Sequence, residues 1–257
     1  MKNVFTFLLL LFSLLCNGQS PKLFTTDKEL SSSLINQIYQ DRNGFIWIAT
    51  EDGLNRYDGA KFTIYKHEPN NEHSLAHNFV RTVFEDSKGH LLIGTYIGIQ
   101  MYDPATDNFT PLAKLEDTGE TLESNINSFI ERKNGEIWVS GNVLCKLDIK
   151  DHLLTVRKVD IAVTSPGSLF EDKKQNVWMA KGEEGVYQLT PDNQLTLHLS
   201  KDNGYVKSIC EDQRGNIYVG SIRKGLFIYE KERKTFVPVD LKEKGELPVC
   251  FLYSGIP

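Results

Sequence analysis

Apolar and polar positions alternate along this chain in short bursts, without the three-to-four spacing of an amphipathic helix. The clearest burst runs from Gln40 to Tyr57 and reads QDRNGFIWIATEDGLNRY. Asp41-Arg42-Asn43-Gly44 is a turn signal, because an Asp side chain caps nearby backbone N–H groups and Gly accepts positive φ. Phe45 to Thr50 is rich in aromatic and branched side chains and predicts a strand. Asp52-Gly53 predicts a second tight turn between apolar runs. Leu54 to Tyr57 then opens another strand by its alternation.

The burst recurs from Glu85 to Tyr102, from Glu131 to Leu147, from Glu171 to Leu189 and from Glu211 to Tyr229. The turn glycine falls at Gly44, Gly89, Gly135 and Gly215, and Gln175 replaces it in the fourth copy. Three residues further on stand Trp47, Leu92, Trp138, Trp178 and Tyr218. A bulky side chain at one fixed place per copy is what a layered core requires. Copies 40 to 46 residues apart, each broken by two turns, predict a propeller rather than a helical repeat.

The expected fold is therefore all-β: a β-propeller of four-stranded blades, about five blades plus one strand, in an incomplete ring. The blades are expected at about 30–73, 74–120, 121–160, 161–204 and 205–248, with a partial sixth at 249–257. An unclosed ring leaves an unpaired edge. The chain is accordingly expected to be the N-terminal piece of a longer protein, the other option being an unusual closure.

The first residues break the pattern. Lys2 followed by the apolar run Val4 to Cys16 predicts a signal peptide over 1–18, ahead of a polar entry segment at 19–29. Cys16-Asn17-Gly18 offers small residues for cleavage before Gln19. A lipidated Cys16 and an uncut anchor are the alternatives. An exported chain predicts a periplasmic location. The oxidising compartment goes unused, because Cys145, Cys210 and Cys250 sit among apolar neighbours and read as small buried hydrophobes. The formal net charge of −5 argues against a nucleic-acid partner.

Enzyme signatures are missing: there is no G-x-S-x-G, H-E-x-x-H or C-x-x-C. The six histidines, His67, His73, His77, His90, His152 and His198, lack metal-ligand spacing, so no metal and no cofactor are expected. One or two carboxylates per turn are too few for calcium. The candidate ligand residues lie where inner strands begin, five to eight positions before the turn acid or its replacement. They are Ser33, Asn36, Asn78, Arg81, Asn125, Asn127 and Lys207, joined by Tyr96 and Arg223 after the central strands. Convergent amides and cations beside aromatic faces suit a sugar. The same polar groups also suit a solvated channel and capped strand ends.

Asp41, Gly44, Ile46, Trp47, Ile48, Thr50, Gly53, Leu54, Tyr57 and Asp58 resemble the two-component regulator propeller repeat. Asp86, Gly89, Leu92, Ile93, Gly94, Thr95, Gly98, Tyr102 and Asp103 repeat the resemblance, and the fifth unit shares it. The third and fourth units depart from it: Arg132 replaces the turn Asp, Gln175 the turn Gly, and Leu189-Thr190 the Tyr-Asp pair. The resemblance implies the extracytoplasmic sensor of a hybrid two-component histidine kinase. It further implies an oligosaccharide ligand from glycan breakdown, neighbouring modules of the same protein and a homodimeric arrangement. An exported interaction scaffold is the rival expectation, and a propeller lyase a weaker one.

Overall fold

The computed structural model describes residues 23–26, 29–199, 204–222 and 224–239. The expected leader, the partial sixth unit, Cys250 and Arg223 lie outside them. Among the described residues twenty-one strands form five sheets, and there is no helix. The first sheet holds β1 (Ile35–Gln40), β2 (Ile46–Thr50), β3 (Gly53–Tyr57) and β4 (Phe62–Tyr65). The second holds β5 (Val80–Glu85), β6 (Leu91–Thr95), β7 (Ile99–Asp103) and β8 (Asn108–Phe109). After the short β9 (Lys114–Leu115), the third holds β10 (Ser128–Glu131), β11 (Ile137–Ser140), β12 (Leu144–Lys150) and β13 (Leu153–Lys158). The fourth holds β14 (Leu169–Glu171), β15 (Val177–Lys181), β16 (Gly185–Leu189) and β17 (Leu195–Leu199). The fifth holds β18 (Tyr205–Glu211), β19 (Ile217–Ile222), β20 (Gly225–Glu230) and β21 (Thr235–Pro238).

Each set of four is an antiparallel meander in chain order, the arrangement of a propeller blade. The third sheet departs from the expected four strands. β9 pairs with β13 in parallel, Lys114 opposite Thr155 and Leu115 opposite Val156, so residues ahead of 121 complete the third blade. A two-residue strand is too short for alternation to reveal it. Among the described residues no hydrogen-bonded strand joins the first and fifth sheets, and the ring is unclosed.

The core lies between sheets. Along each strand alternate side chains serve the sheet before and the sheet after. Trp47, Ala49 and Leu54 pack on Val80, Val83, Leu91 and Ile93 of the next sheet. Trp178, Ala180 and Val186 pack on Val206, Ile209 and Val219 in the same way. The bulky position of all five copies is buried: Trp47 is 1% exposed, Leu92 0%, Trp138 3%, Trp178 1% and Tyr218 5%. The first sheet shows the rule by exception. Ile35 is 43% exposed, whereas Val80 and Val206 at the same register are 0% and 2%. Among the described residues no sheet precedes it, and the Phe24 ring packs against Tyr57 and Phe62.

The turn Asp does more than shape its hairpin. Asp41 Oδ1 accepts from the N–H groups of Asn43 and Phe45, at 2.9 and 3.0 Å. Its Oδ2 accepts from the Trp47 indole Nε1 at 2.8 Å. Asp172 repeats this with Lys174 N, Asn176 N and Trp178 Nε1. Where Leu92 replaces the indole, His90 Nδ1 takes Asp86 Oδ2 at 2.7 Å. In the fifth sheet Asn216 bonds both oxygens of Asp212, and the Tyr218 hydroxyl reaches Oδ2 at 3.4 Å. Burial works against the charged Asp212, but the Asn216 and Arg214 bonds outweigh it and hold the carboxyl below its ordinary range. The left-handed turn survives every substitution: φ is +88° at Gly44, +94° at Gly89, +83° at Gly135 and +80° at Gly215, and Gln175 adopts +67°.

A second device runs from sheet to sheet. In the second to fifth sheets the Glu that ends the inner strand accepts from the turn of the sheet before it. Arg42 N donates to Glu85 at 2.8 Å, Ser87 N to Glu131 at 2.7 Å, Lys133 N to Glu171 at 2.7 Å and Lys173 N to Glu211 at 3.0 Å. Long side chains reinforce three of the four clasps. Arg42 reaches Asp86 O, Lys133 reaches Asp172 O, and Lys173 reaches Asp212 O.

Candidate functional site

Four of the sequence-predicted residues share one register. Asn36, Arg81, Asn127 and Lys207 each stand four positions before the end of an inner strand. At Asn36, Arg81 and Lys207 the pairing with the second strand slips by one residue, which is a β-bulge. A bulge re-aims the extra side chain. Asn36, at its bulge, and Asn127, just ahead of β10, tie neighbouring sheets. Asn36 Nδ2 donates to Val80 O at 2.7 Å, and Asn127 Nδ2 donates to Pro166 O at 3.0 Å. The Arg81 guanidinium lies over the Phe79 ring at 5.9 Å, and Lys207 is exposed.

Asn78 is also structural in its contacts. Its amide bonds Asp52 at 3.2 Å, and its oxygen accepts from His67 N at 2.8 Å, which fixes the loops of the first two sheets together. Ser33 is exposed ahead of β1. Tyr96 follows β6 and remains 53% exposed. Its ring neighbours His77 at 5.6 Å and Phe79 at 6.0 Å, and its N–H donates to Phe79 O at 3.0 Å.

Tyr96 and Asn125 meet in a cleft of about 620 Å³ between the second and third sheets. Thr121, Glu123, Ser124 and Asn142 complete its polar lining, with Ile97 and Leu112 as the apolar part. Among the described residues Asn125 Oδ1, buried there, finds no hydrogen-bond partner. An orphaned acceptor costs about 1–3 kcal/mol, a penalty a ligand donor or a water removes. Sequence reasoning missed Glu123 and Asn142. Asn142 carried a faint signal, since Asn142-Val143 stands where the other copies have the glycine after the central strand.

Five of the six histidines, His67, His73, His77, His90 and His198, make bonds within the fold. His67 Nδ1 meets Leu75 O at 2.9 Å, and His73 Nδ1 meets Phe109 O at 3.1 Å. His198 bridges Lys234 O and Gln188 Oε1 beside Trp178 and Tyr229, and burial lowers its pKa. Among the described residues no three His, Cys, Asp or Glu side chains gather as metal ligands would. Cys145 and Cys210 are buried, as expected, and burial pushes the Cys145 thiol up to about 11. Among the described residues no helix is long and apolar enough to cross a membrane.

Three stretches, residues 29–52, 74–96 and 200–223, match the two component regulator propeller family. They fall in the first, second and fifth sheets, the copies in which the resemblance is strongest. A histidine kinase, P4, of Formosa agariphila is 37% identical over 83 residues, which is 30% of this chain and 6% of that protein. The extracellular domain assigned to a hybrid two component system of B. thetaiotaomicron superposes with a TM-score of 0.70 at 18% identity. That match covers 88% of this chain and 34% of the other. Virginiamycin B lyase from Staphylococcus aureus superposes with a TM-score of 0.60 at 13% identity, over 83% of this chain and 71% of the lyase. Both superpositions are likenesses of fold. Three of the five sheets thus contain a stretch that matches the two component regulator propeller repeat.

Proposed function

We propose that this chain is the extracytoplasmic, non-catalytic sensor part of a hybrid two-component histidine kinase, and that it responds to an oligosaccharide. The observation that carries the sensor reading is the histidine kinase relative, on a fold shared with the extracellular domain of a hybrid two component system. The chain spans only 6% of that relative and about a third of the solved domain, so kinase, membrane span and output modules belong to the reading and not to the described residues.

The ligand reading is supported by the cleft. A sugar needs an exposed aromatic face with amides and a carboxylate around it. Tyr96 offers the face, Asn125 an acceptor in want of a donor, and Asn142 and Glu123 further hydrogen-bonding groups. Binding there would touch the second and third sheets together and bias how they pack against neighbouring modules.

The test is a thermal-shift screen of the chain with neutral and acidic oligosaccharides, repeated on Tyr96→Ala. A ligand that raises the melting midpoint of the parent and not of the variant supports the reading. No shift with any sugar overturns it and favours the scaffold reading.

A further inference from the structure

We infer that Arg81 forms an anion subsite, so that the oligosaccharide carries carboxylate or sulfate groups. This rests on the reading that the cleft beside Tyr96 takes a sugar.

The first argument is comparative. At this register Asn36 and Asn127 donate to a carbonyl of the following sheet, Val80 O and Pro166 O. At the same place the second and fifth sheets carry long cations, and neither makes such a bond among the described residues. The strand-tying task has been given up there, while the bulge that turns the side chain away from its own strand is kept.

The second argument concerns charge. A half-buried cation without a counter-ion is unfavourable, and this molecule elsewhere avoids one. Arg56 meets Asp107 at 3.0 Å, Arg42 meets Glu85 at 2.5 Å and Arg132 meets Glu171 at 2.9 Å. Arg81, half-buried like Arg132, has no carboxylate within reach among the described residues. It has only the face of Phe79. The chain as a whole is acidic, at −5, so these cations do not reflect a general excess of positive charge.

The third argument is position. The Phe79 ring neighbours both the Arg81 guanidinium, at 5.9 Å, and the Tyr96 ring, at 6.0 Å, so cation and exposed ring gather around one aromatic side chain. Arg presents a fork of donors that matches carboxylate or sulfate oxygens. Glu123 on the cleft wall is the opposing charge. It keeps the anionic group toward Arg81 and leaves the neutral part of the sugar over Tyr96.

Calorimetric titration of the chain with trigalacturonate, a sulfated carrageenan tetrasaccharide and maltotriose tests this. The acidic sugars should bind more tightly than maltotriose. Whichever of the two binds better shows whether carboxylate or sulfate is the natural group. Arg81→Gln should weaken the acidic sugar about tenfold, the scale of a charge-assisted bond, with maltotriose unaffected. Arg81→Lys should restore part of the loss. Glu123→Gln should tighten the acidic sugar about two- to threefold. Melting midpoints of the variants within a degree or so of the parent exclude unfolding as the cause. Maltotriose binding as tightly as the acids, with Arg81→Gln neutral to all three, overturns the anion subsite and leaves the sugar reading intact. No binding by any of the three overturns both.

Discussion

The third and fourth sheets hold the same tryptophan in the same buried place with opposite charge schemes. In the fourth, Asp172 is buried and accepts from two backbone N–H groups, from the Asn176 amide and from Trp178 Nε1 at 2.8 Å. In the third, Arg132 stands in place of the Asp and lies over the Trp138 ring at 4.6 Å. The indole N–H turns instead to Glu136 Oε2 at 3.1 Å, and Lys146 bonds the same carboxylate at 2.5 Å. What the repeat maintains is thus an anion for the indole and a closed turn, and not a particular residue. The two solutions differ in exposure. The Asp172 network is dry, while the Glu136 side chain is 34% exposed.

That difference sets the size of each expected effect. Asp172→Ala strands several donors at once, two of them backbone, and should cost about 3 kcal/mol. Glu136→Ala should cost only about 1 kcal/mol, because water can serve its partners. Urea denaturation of the two variants compares them directly, and equal midpoints would break the contrast. Trp178→Phe keeps most of the buried area but leaves Asp172 short of a donor, for about 1–2 kcal/mol. Trp138→Phe should cost less than half of that in the same assay. Gln175→Gly should stabilise by about 1 kcal/mol or less, since a left-handed φ of +67° suits glycine. Any loss of stability in this variant would mean that the Gln side chain matters more than the backbone.

The last effect belongs to Glu136→Gln, and it is present at neutral pH and vanishes in acid. The bond from Lys146 holds the Glu136 carboxyl down from 4.5 to about 2, against the opposing pull of burial. The unfolded chain therefore binds the extra proton first. The stability this group contributes is complete above about pH 4.5 and is lost as pH falls toward about 2. Stability curves of parent and variant should converge across that window, and parallel curves would refute the pairing with Lys146.

Much of the fold was legible because it is written five times. One glycine-marked turn and one bulky residue three positions later were enough to place the sheets and name the buried tryptophans. The Asp-to-indole bond was legible in principle, as an acid six residues before each indole in the first and fourth copies. It was hidden by reading the Asp as turn chemistry alone. β9 left no trace, because its two residues are recruited by the edge of β13 and not by their own pattern. The site was legible only in part. Tyr96 and Asn125 come together in one cleft, but Asn36, Asn78 and Asn127 spend their amides on neighbouring backbone and side chains. A polar residue near a strand end reads alike in both roles, and only the hydrogen-bond partner separates them.

The Glu clasps have a consequence for anyone wishing to cut and rejoin such a chain. Each apolar seam and each Glu-to-turn bond joins the rear of one sheet to the front of the next. A single sheet moved into another ring would arrive with half of two seams and none complete. The smallest portable module is a pair of consecutive sheets, because each clasp joins the first hairpin turn of one sheet to the inner strand of its successor. Chimaeras that move consecutive sheets together keep the junction between them, whereas a splice inside the pair severs it.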